Sequence, residues 1–209
     1  MLNAIKKNGA VLAMFACAST GLVAITNALT KSTIQEQEQA QLMSVLNEVV
    51  PSDMYDNPLF SACVIVESPA LGSDPVHAYI ASKQGNVAAY AIEAIAPDGY
   101  NGRIKLIVGV SATGEILGTR VLSHTETPGL GDKIELRISD WILSFNGKSV
   151  TSPEDTAWGV RKDGGQFDQF TGATITPRAV VKAVKQAVWY VTQNQQHIRS
   201  MPFNCGSNS

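Results

Sequence analysis

The sequence predicts an α+β protein in which one mainly antiparallel sheet carries packed helices and follows a single N-terminal transmembrane helix. Three observations predict this class. Four apolar segments rich in β-branched residues lie between residues 62 and 123, and their connections are too short for parallel strands. A stripe of valines recurs at helical spacing after Pro177. The third observation is an uncharged N-terminal segment as long as the hydrocarbon core of a bilayer is thick.

The N-terminal segment has the composition of a membrane anchor. No residue between Lys7 and Lys31 is charged, and residues 9–29 read GAVLAMFACASTGLVAITNAL. As a helix rising about 1.5 Å per residue, this segment reaches roughly 30 Å, which is enough to cross a bilayer. Lys6 and Lys7 precede it, so the positive-inside rule predicts that residues 1–8 are cytoplasmic and that the chain after the helix lies outside the cytoplasm.

Two alternatives compete with a retained anchor. A cleaved signal peptide would end at small residues such as the ACA at 16–18, but its apolar region would be shorter than this one. A lipoprotein site at Cys17 fits poorly, because the bulky Phe15 stands two residues before it. The length of the segment favours the retained helix.

Two further cysteines, Cys63 and Cys205, fall in the exported part of the chain. In an oxidising compartment they could pair as a disulfide. Two unrelated small buried residues would explain the sequence equally well. The sequence leaves both interpretations open.

Residues 30–60 are predicted to form a helix and loop that link the anchor to the domain. A helix over 33–50 ends at Pro51, and its apolar stripe comprises Leu42, Val45, Leu46 and Val49. The globular domain is then expected at 61–200, with a C-terminal tail at 201–209.

The centre of the domain is predicted to be an antiparallel sheet. KQGN at 83–86 and ATGE at 112–115 are typical of hairpin turns, because glycine readily adopts positive φ. Four strands are expected, at 76–81, 87–95, 104–110 and 116–122.

Helical and extended patterns alternate in the last third of the chain. Residues 132–143 are predicted to form a helix capped by Asp132, and residues 156–162 a further strand. A final helix is expected from Pro177 to about Gln196, with Thr176 as its N-cap and Pro177 as its first residue. Its core stripe comprises Val180, Val181, Val184, Val188 and Val191.

Several functional classes are unsupported by the sequence. The formal net charge is -2 with no long run of one sign, so no basic face is available for nucleic acid. His77, His124 and His197 are dispersed and predict no metal site. The chain has no nucleophile elbow for a hydrolase triad, no dinucleotide-binding glycine motif and no P-loop. We therefore expect no catalytic side chain.

The segment DQFTGATITPR at 168–178 is the first candidate site. Gly172 and Ala173 leave the backbone bare beside Thr174, just before a helix whose first N–H groups are unpaired. Such a position suits a phosphate. An ordinary turn before a capped helix is the alternative.

The segment SHTETPGLGDK at 123–133 is the second candidate. Three polar residues precede a Pro-Gly turn, and a further glycine would let the backbone approach a flat or bulky group. Taken alone, a tight turn between a strand and a helix explains this segment as well.

Together these features resemble a known family. The N-terminal span, the exported α+β domain, TETPGLGDKIE in mid-chain and D-x-x-T-G-A-T-x-T before the last helix occur in that order. The chain resembles the G subunit of the Rnf (also called Rsx) ion-translocating electron-transport complex. A relative of that family is the C subunit of the sodium-pumping NADH:quinone reductase.

The resemblance implies that Thr174 carries a covalent FMN through a phosphoester bond, which a flavin transferase makes from FAD. Asp168 matches an acidic residue that often precedes the motif, and Thr171 stands where serine is commoner. The other implied flavin contacts come from the motif itself and from the mid-chain loop. They are Thr171, Gly172, Ala173, Ile175, Glu126, Thr127, Gly129, Leu130 and Gly131.

The resemblance also implies a role in electron transport. The protein would relay electrons between NADH and ferredoxin-type carriers in the bacterial inner membrane, while the complex moves Na⁺ or H⁺. Its partners would be the other subunits and the flavin transferase. Two alternatives remain: a component of the sodium-pumping quinone reductase, or a membrane-tethered periplasmic scaffold without flavin.

Overall fold

The chain begins with one long helix. The computed structural model describes residues 2–205, with side chains throughout except at 2–5, 32–36 and 38. Helix α1 (Leu2–Val49) is continuous, so the linker helix predicted at 33–50 is not a separate element. The reason is that residues 22–50 contain neither glycine nor proline, and nothing in them interrupts a helix. The helix ends just before Pro51, as predicted.

The chain divides into two compact units, with the boundary between Ser44 and Val45. In the first unit, the segment Lys6–Lys31 reaches a mean hydropathy of 1.9, and its most apolar part is not buried by other residues of the protein. By length and composition it could cross a membrane.

The second unit is built on a five-stranded sheet in which each strand pairs antiparallel with the next, in the order of the sequence. The predicted α+β class is confirmed, as are all four predicted strands. The short first strand was not predicted separately, since four residues are too few to establish a period. The strands are β1 (Cys63–Val66), β2 (Val76–Lys83), β3 (Asn86–Gly99), β4 (Gly102–Ser111) and β5 (Ile116–Ser123).

Both predicted hairpin turns are confirmed. Gln84 and Gly85 have φ of 52° and 79° between β2 and β3. Gly114 has φ of 87° between β4 and β5. Positive φ at these positions is the property for which glycine is favoured in tight turns.

Helix α2 (Ile175–Ser200) covers one face of the sheet. It has one non-helical residue, Asn194, near the predicted end at Gln196. The predicted valine stripe is confirmed, since all its members are buried: Val180, Val181, Val184, Val188 and Val191.

The last turn of α1, which belongs to the second unit, packs on the opposite face. Leu46 and Val49 are fully buried there. A Cβ placed on Gly109 of β4 would lie 1.8 Å from the Val49 carbonyl oxygen, so the helix backbone touches the strand backbone directly. Arg120 Nε also donates to Glu48 Oε2 at 2.6 Å.

The helix predicted at 132–143 is wrong. The segment forms two short 3-10 helices, Gly131–Ile134 and Asp140–Phe145, separated by an extended Ser139. Ser139 accepts a hydrogen bond from Trp141 N–H and so starts the second helix. Asp132 lies inside the first 3-10 helix and does not cap an α-helix.

The strand predicted at 156–162 is also wrong. Val160 makes an isolated bridge to Phe167, and the rest of the segment is turns and a 3-10 helix at Arg161–Asp163. Two glycines bring the chain into close contact with itself, because a Cβ on Gly165 would lie 1.9 Å from the Gly159 carbonyl oxygen. Aromatic packing of Trp158 on Phe167, with ring centroids 5.2 Å apart, replaces sheet pairing as the organising contact.

The disulfide hypothesis is confirmed: Cys63 of β1 is bonded to Cys205 near the C-terminus. Asn204 reinforces this connection. Its N–H donates to the Cys63 carbonyl at 3.1 Å, and its side-chain oxygen accepts from Ile65 N–H at 2.8 Å.

Candidate functional site

The TGAT motif forms a turn that leads directly into α2. Gly172 has φ of 82°, and Ala173 N–H donates to the Phe170 carbonyl at 3.3 Å. Thr174 occupies the position before the first helical residue, with φ of -89° and ψ of -21° and no capping bond from its side chain. Within the described part of the chain, the Thr174 hydroxyl makes no hydrogen bond.

The predicted cap at Thr176 is wrong. Thr176 is the second residue of α2, is fully buried, and donates its hydroxyl to Glu126 Oε2 at 2.5 Å. Pro177 is the third helical residue and not the first. The helix therefore begins two residues earlier than predicted, immediately after Thr174.

The mid-chain loop is a tight turn. The N–H groups of Leu130 and Gly131 both donate to the Thr127 carbonyl at 3.1 Å. Gly129 has φ of 78° and donates its N–H to Asp132 Oδ2 at 2.9 Å. The other oxygen of Asp132, Oδ1, is buried without a hydrogen-bond partner in the described structure.

The two motifs, which lie far apart in the sequence, are brought together. A Cβ on Gly172 would lie 3.2 Å from Leu130 Cδ2, so the leucine packs over the motif turn. A Cβ on Gly131 would lie 2.6 Å from Glu126 Oε2 and 2.9 Å from Thr176 Oγ1. All the predicted site residues therefore belong to one region at the start of α2.

Apolar side chains remain exposed beside Thr174. Leu130 is 41% exposed and Ile175 is 45% exposed, although both are large aliphatic residues. Thr171 and Gly172 are exposed, and Thr174 is half-buried. This surface could receive a flat apolar ring next to the free hydroxyl.

A guanidinium lies one turn further along α2. Arg178 forms two hydrogen bonds to Asp163, at 2.6 and 2.9 Å, and a third at 3.3 Å to the Thr174 carbonyl. The hydrogen bond from Arg178 lowers the pKa of Asp163. Asp168, the acidic residue before the motif, pairs with Arg161 at 3.0 Å.

Several residues of this region were not predicted. His124 Nδ1 accepts from Glu126 N–H at 3.0 Å, and its Nε2 lies 2.5 Å from Glu135 Oε1. The hydrogen bond from Arg137 is the main cause that lowers the pKa of Glu135 to about 2; burial opposes it and His124 assists it. Asn101 N–H donates to Glu126 Oε1 at 3.1 Å. The His124–Glu126 contact lies within the predicted segment, but nothing in the sequence indicates that Asn101 reaches Glu126 or that His124 reaches Glu135.

A separate ionic cluster lies on the sheet. Glu93 is 4% exposed and accepts from His77 Nδ1 at 2.8 Å, and Lys105 Nζ is 3.0 Å away. Burial would raise the pKa of Glu93, but the bonds from His77 and the charge of Lys105 outweigh it and lower the pKa. Over the residues that the structure describes, no group of His, Cys, Asp and Glu could hold a metal ion.

Comparison with known proteins shows the family to which the chain belongs. Residues 99–188 match the FMN-binding domain family, and residues 1–49 match the RnfG N-terminal region. The G subunit of the ion-translocating oxidoreductase complex of Vibrio atlanticus is 68% identical over 207 residues, which cover 99% of each chain. The G subunit from Vibrio cholerae is 63% identical over 206 residues, and that from Shewanella baltica 58% over 210, each covering at least 98% of both chains.

The chain belongs to the family of G subunits of the ion-translocating oxidoreductase complex. The family resemblance predicted from the sequence is thus confirmed. The FMN-binding region contains both candidate motifs, and the protein is an FMN flavoprotein of electron transport. The N-terminal apolar helix fits a membrane protein.

The residues present fit FMN chemically. The first N–H groups of α2, at Ile175 and Thr176, have no partner within the helix and favour an anion such as a phosphate. Leu130 and Ile175 offer apolar surface for an aromatic ring. The unpartnered Asp132 Oδ1 is a buried acceptor in the same loop.

Proposed function

We propose that Thr174 carries FMN through a phosphoester bond and that the protein is an electron-transfer component of a membrane-bound Rnf-type complex. The observation that carries this proposal is the position of the Thr174 hydroxyl. It makes no hydrogen bond among the described residues, it stands at the start of α2, and it lies inside the region that matches the FMN-binding domain.

Attachment would be a phosphoryl-transfer reaction with FAD as donor. The Thr174 oxygen forms a bond to the FMN phosphorus, the pyrophosphate bond of FAD breaks, and AMP leaves. The hydroxyl proton is released, and nothing is oxidised or reduced. The free N–H groups of Ile175 and Thr176 would stabilise the phosphate of the attached FMN.

Once bound, FMN supplies transfer of one or two electrons, and the protein sets its position and access. Leu130 and Ile175 would pack against the ring. The positive φ of Gly172 keeps the motif turn compact beside the phosphate. Thr171, Ala173, Thr127, Gly129 and Gly131 would form the surrounding backbone. No side-chain acid or base is required, which agrees with the absence of a catalytic motif in the sequence.

We propose that the flavin-bearing domain lies in the periplasm and that the anchor is retained. Lys6 and Lys7 precede the span, and the positive-inside rule keeps them in the cytoplasm. The Cys63–Cys205 disulfide favours an oxidising compartment for the domain. Because α1 runs unbroken to a turn that packs on the sheet, signal-peptide cleavage would cut within one continuous element.

The partners are proposed from the names of the relatives, which are subunits of an ion-translocating oxidoreductase complex. This chain would accept and donate electrons within such a complex, between NADH and ferredoxin-type carriers, while the complex moves an ion. A place in the sodium-pumping quinone reductase is less well supported, because relatives at 58–68% identity over the whole chain are named as G subunits of the ion-translocating complex.

The attachment is tested by mass spectrometry of protein from a host that contains the flavin transferase. We expect one FMN phosphoryl adduct on the peptide that contains Thr174, and none in Thr174→Val. Thr174→Ser is the matched control, since it keeps the hydroxyl and should be modified. An unmodified wild-type chain, or an adduct that persists in Thr174→Val, would overturn the attachment.

The complex is tested by purification of the full-length chain from native membranes. We expect other membrane subunits of an oxidoreductase to co-purify with it. Recovery of the flavinylated chain alone under mild detergent conditions would contradict the proposed assembly.

A further inference from the structure

The Glu126 carboxylate is a buried charge that the proposed flavin site does not explain. It is 5% exposed, and no lysine, arginine or histidine side chain in the described structure forms an ion pair with it. Instead, Oε2 accepts the Thr176 hydroxyl at 2.5 Å and Oε1 accepts Asn101 N–H at 3.1 Å. Burying a charge without a cation is costly, so the fold must hold it by these hydrogen bonds.

The carboxylate fits a slot that two glycines form. A Cβ on Gly131 would lie 2.6 Å from Oε2, and a Cβ on Gly99 would lie 2.9 Å from Oε1. The backbone of Glu126 is held as well, because its N–H donates to His124 Nδ1 at 3.0 Å. Both oxygens and the backbone are thus engaged within the protein, and the side chain has little left to offer a ligand.

Thr174 differs from an ordinary residue at a helix start. A threonine in this position usually accepts a hydrogen bond from the N–H of the second or third helical residue. The third residue of α2 is Pro177, which has no N–H. The helical ψ of -21° at Thr174 also departs from the extended conformation of capping residues.

We propose that Glu126, acting through Thr176, anchors the start of α2 in place of a cap at Thr174, and thereby keeps the Thr174 hydroxyl free for flavin attachment. Glu126 is then a positioning residue. Its negative charge lies at the N-terminal turn of α2, where the helix dipole stabilises an anion. Pro177 contributes, because it removes one of the two N–H groups that a threonine at the helix start usually binds. This inference rests on the proposed attachment of FMN to Thr174.

The experiment compares how fast variants accept FMN. Full-length chains are purified in detergent from a host without the flavin transferase and are incubated with purified transferase and FAD. Intact mass and in-gel flavin fluorescence give kcat and KM for each chain as substrate. The variants are Thr176→Val, which removes the hydroxyl at similar volume, and Thr176→Ser, which keeps it. Tryptophan fluorescence in urea identifies the conditions under which each variant is folded.

We expect Thr176→Val to lower kcat/KM by about tenfold or more, since a hydrogen bond to a charged group is lost. Thr176→Ser should stay close to wild type. Hydrogen exchange of the amides at 171–178 should be faster in Thr176→Val only. A folded Thr176→Val that accepts FMN at the wild-type rate would overturn the inference, and so would a Thr176→Ser as slow as Thr176→Val.

If Thr176→Val does not fold, Glu126→Met gives the same test. It removes both acceptor oxygens at similar side-chain length, so slower loading is expected and unchanged loading contradicts the inference. Pro177→Ala restores a backbone N–H and should slow loading several-fold; a rate equal to wild type would show that Pro177 does not contribute. Failure of the proposed attachment appears differently, as a wild-type chain that does not load or a Thr174→Val chain that does.

Discussion

Replacing Gly109 by alanine should detach the last turn of α1 from the sheet. The new Cβ would stand 1.8 Å from the Val49 carbonyl oxygen, whereas ordinary contacts begin at 3.4 Å. The carbonyl belongs to a helical backbone and cannot retreat by more than an ångström while the turn stays packed. The turn would therefore leave the sheet and expose Leu46 and Val49, which are fully buried.

The size of the effect follows from those two side chains. Burying one valine or leucine contributes about 1.5–3 kcal/mol, so losing both should lower the free energy of unfolding by about 3–6 kcal/mol. Alanine substitution at two other glycines should lower the free energy of unfolding by smaller amounts. At Gly118 the nearest atom, the Glu48 carbonyl oxygen, would be 2.8 Å away, and an overpacking cost of about 1–3 kcal/mol is expected. At Gly159 the nearest atom would be 3.7 Å away, and the change should stay within about 0.5 kcal/mol.

Urea unfolding of the full-length chain in detergent measures this series. All three tryptophans, Trp141, Trp158 and Trp189, lie in the unit that contains the sheet, so their fluorescence reports the unfolding of that unit. We expect the urea midpoint to be highest for Gly159→Ala, lower for Gly118→Ala and lowest for Gly109→Ala. A Gly109→Ala midpoint equal to that of Gly159→Ala would refute the direct packing of helix backbone on strand.

Three further predictions concern the disulfide, an ion pair and the motif turn. Cys205→Ser should lower the free energy of unfolding by about 2–4 kcal/mol, because the bond closes a long loop, with a sequence separation of 142 residues; dithiothreitol should bring wild type to the same value, and Cys17→Ser should change nothing. Glu135→Gln should lower stability at pH 7. The pKa of Glu135 is depressed from 4.5 to about 2, chiefly by the hydrogen bond from Arg137, so its contribution is complete above about pH 4.5 and is lost as the pH falls toward 2. The gap between the urea midpoints of the two proteins should close over that interval, and a constant gap would contradict the ion pair. Gly172→Ala places a side chain at a φ of 82°, which costs about 1–2 kcal/mol, and should reduce the fraction of chains that carry FMN by mass spectrometry; unchanged loading would mean that the turn geometry is unimportant.

The sheet could be predicted from the sequence because its signals are local. Strands β2 to β5 are rich in apolar and β-branched residues, and short turns that contain glycine join neighbouring strands. The failure at 132–143 has a physical reason. Ile134, Ile138 and Ile142 recur every four residues, as in a helix, yet Ile138 is 43% exposed and the other two are buried. The hydrogen bond from Trp141 N–H to the Ser139 hydroxyl breaks the segment in two, which periodicity does not reveal.

The two candidate segments could be identified from the sequence, but the arrangement of their side chains could not. The TP sequence at 176–177 looked like a cap and first residue, because that is the favourable local assignment. The buried hydrogen bond between Thr176 and Glu126 joins residues fifty positions apart, and this contact overrides the local preference. Only the tertiary structure leaves Thr174 at the helix start with a free hydroxyl.

The connection between β1 and the C-terminal tail has a consequence for assembly and maturation. Strand β1 is at the edge of the sheet, and an open edge is a template on which a strand of another chain can pair and aggregate. Asn204 occupies two of the backbone groups on that edge, at Cys63 and Ile65, and the disulfide fixes it there. Because Cys63 and Cys205 are separated by 142 residues, the disulfide can seal this edge only after nearly all of the domain has been made. A chain truncated before residue 204 would leave these two backbone groups of β1 open, and we expect it to self-associate through this edge.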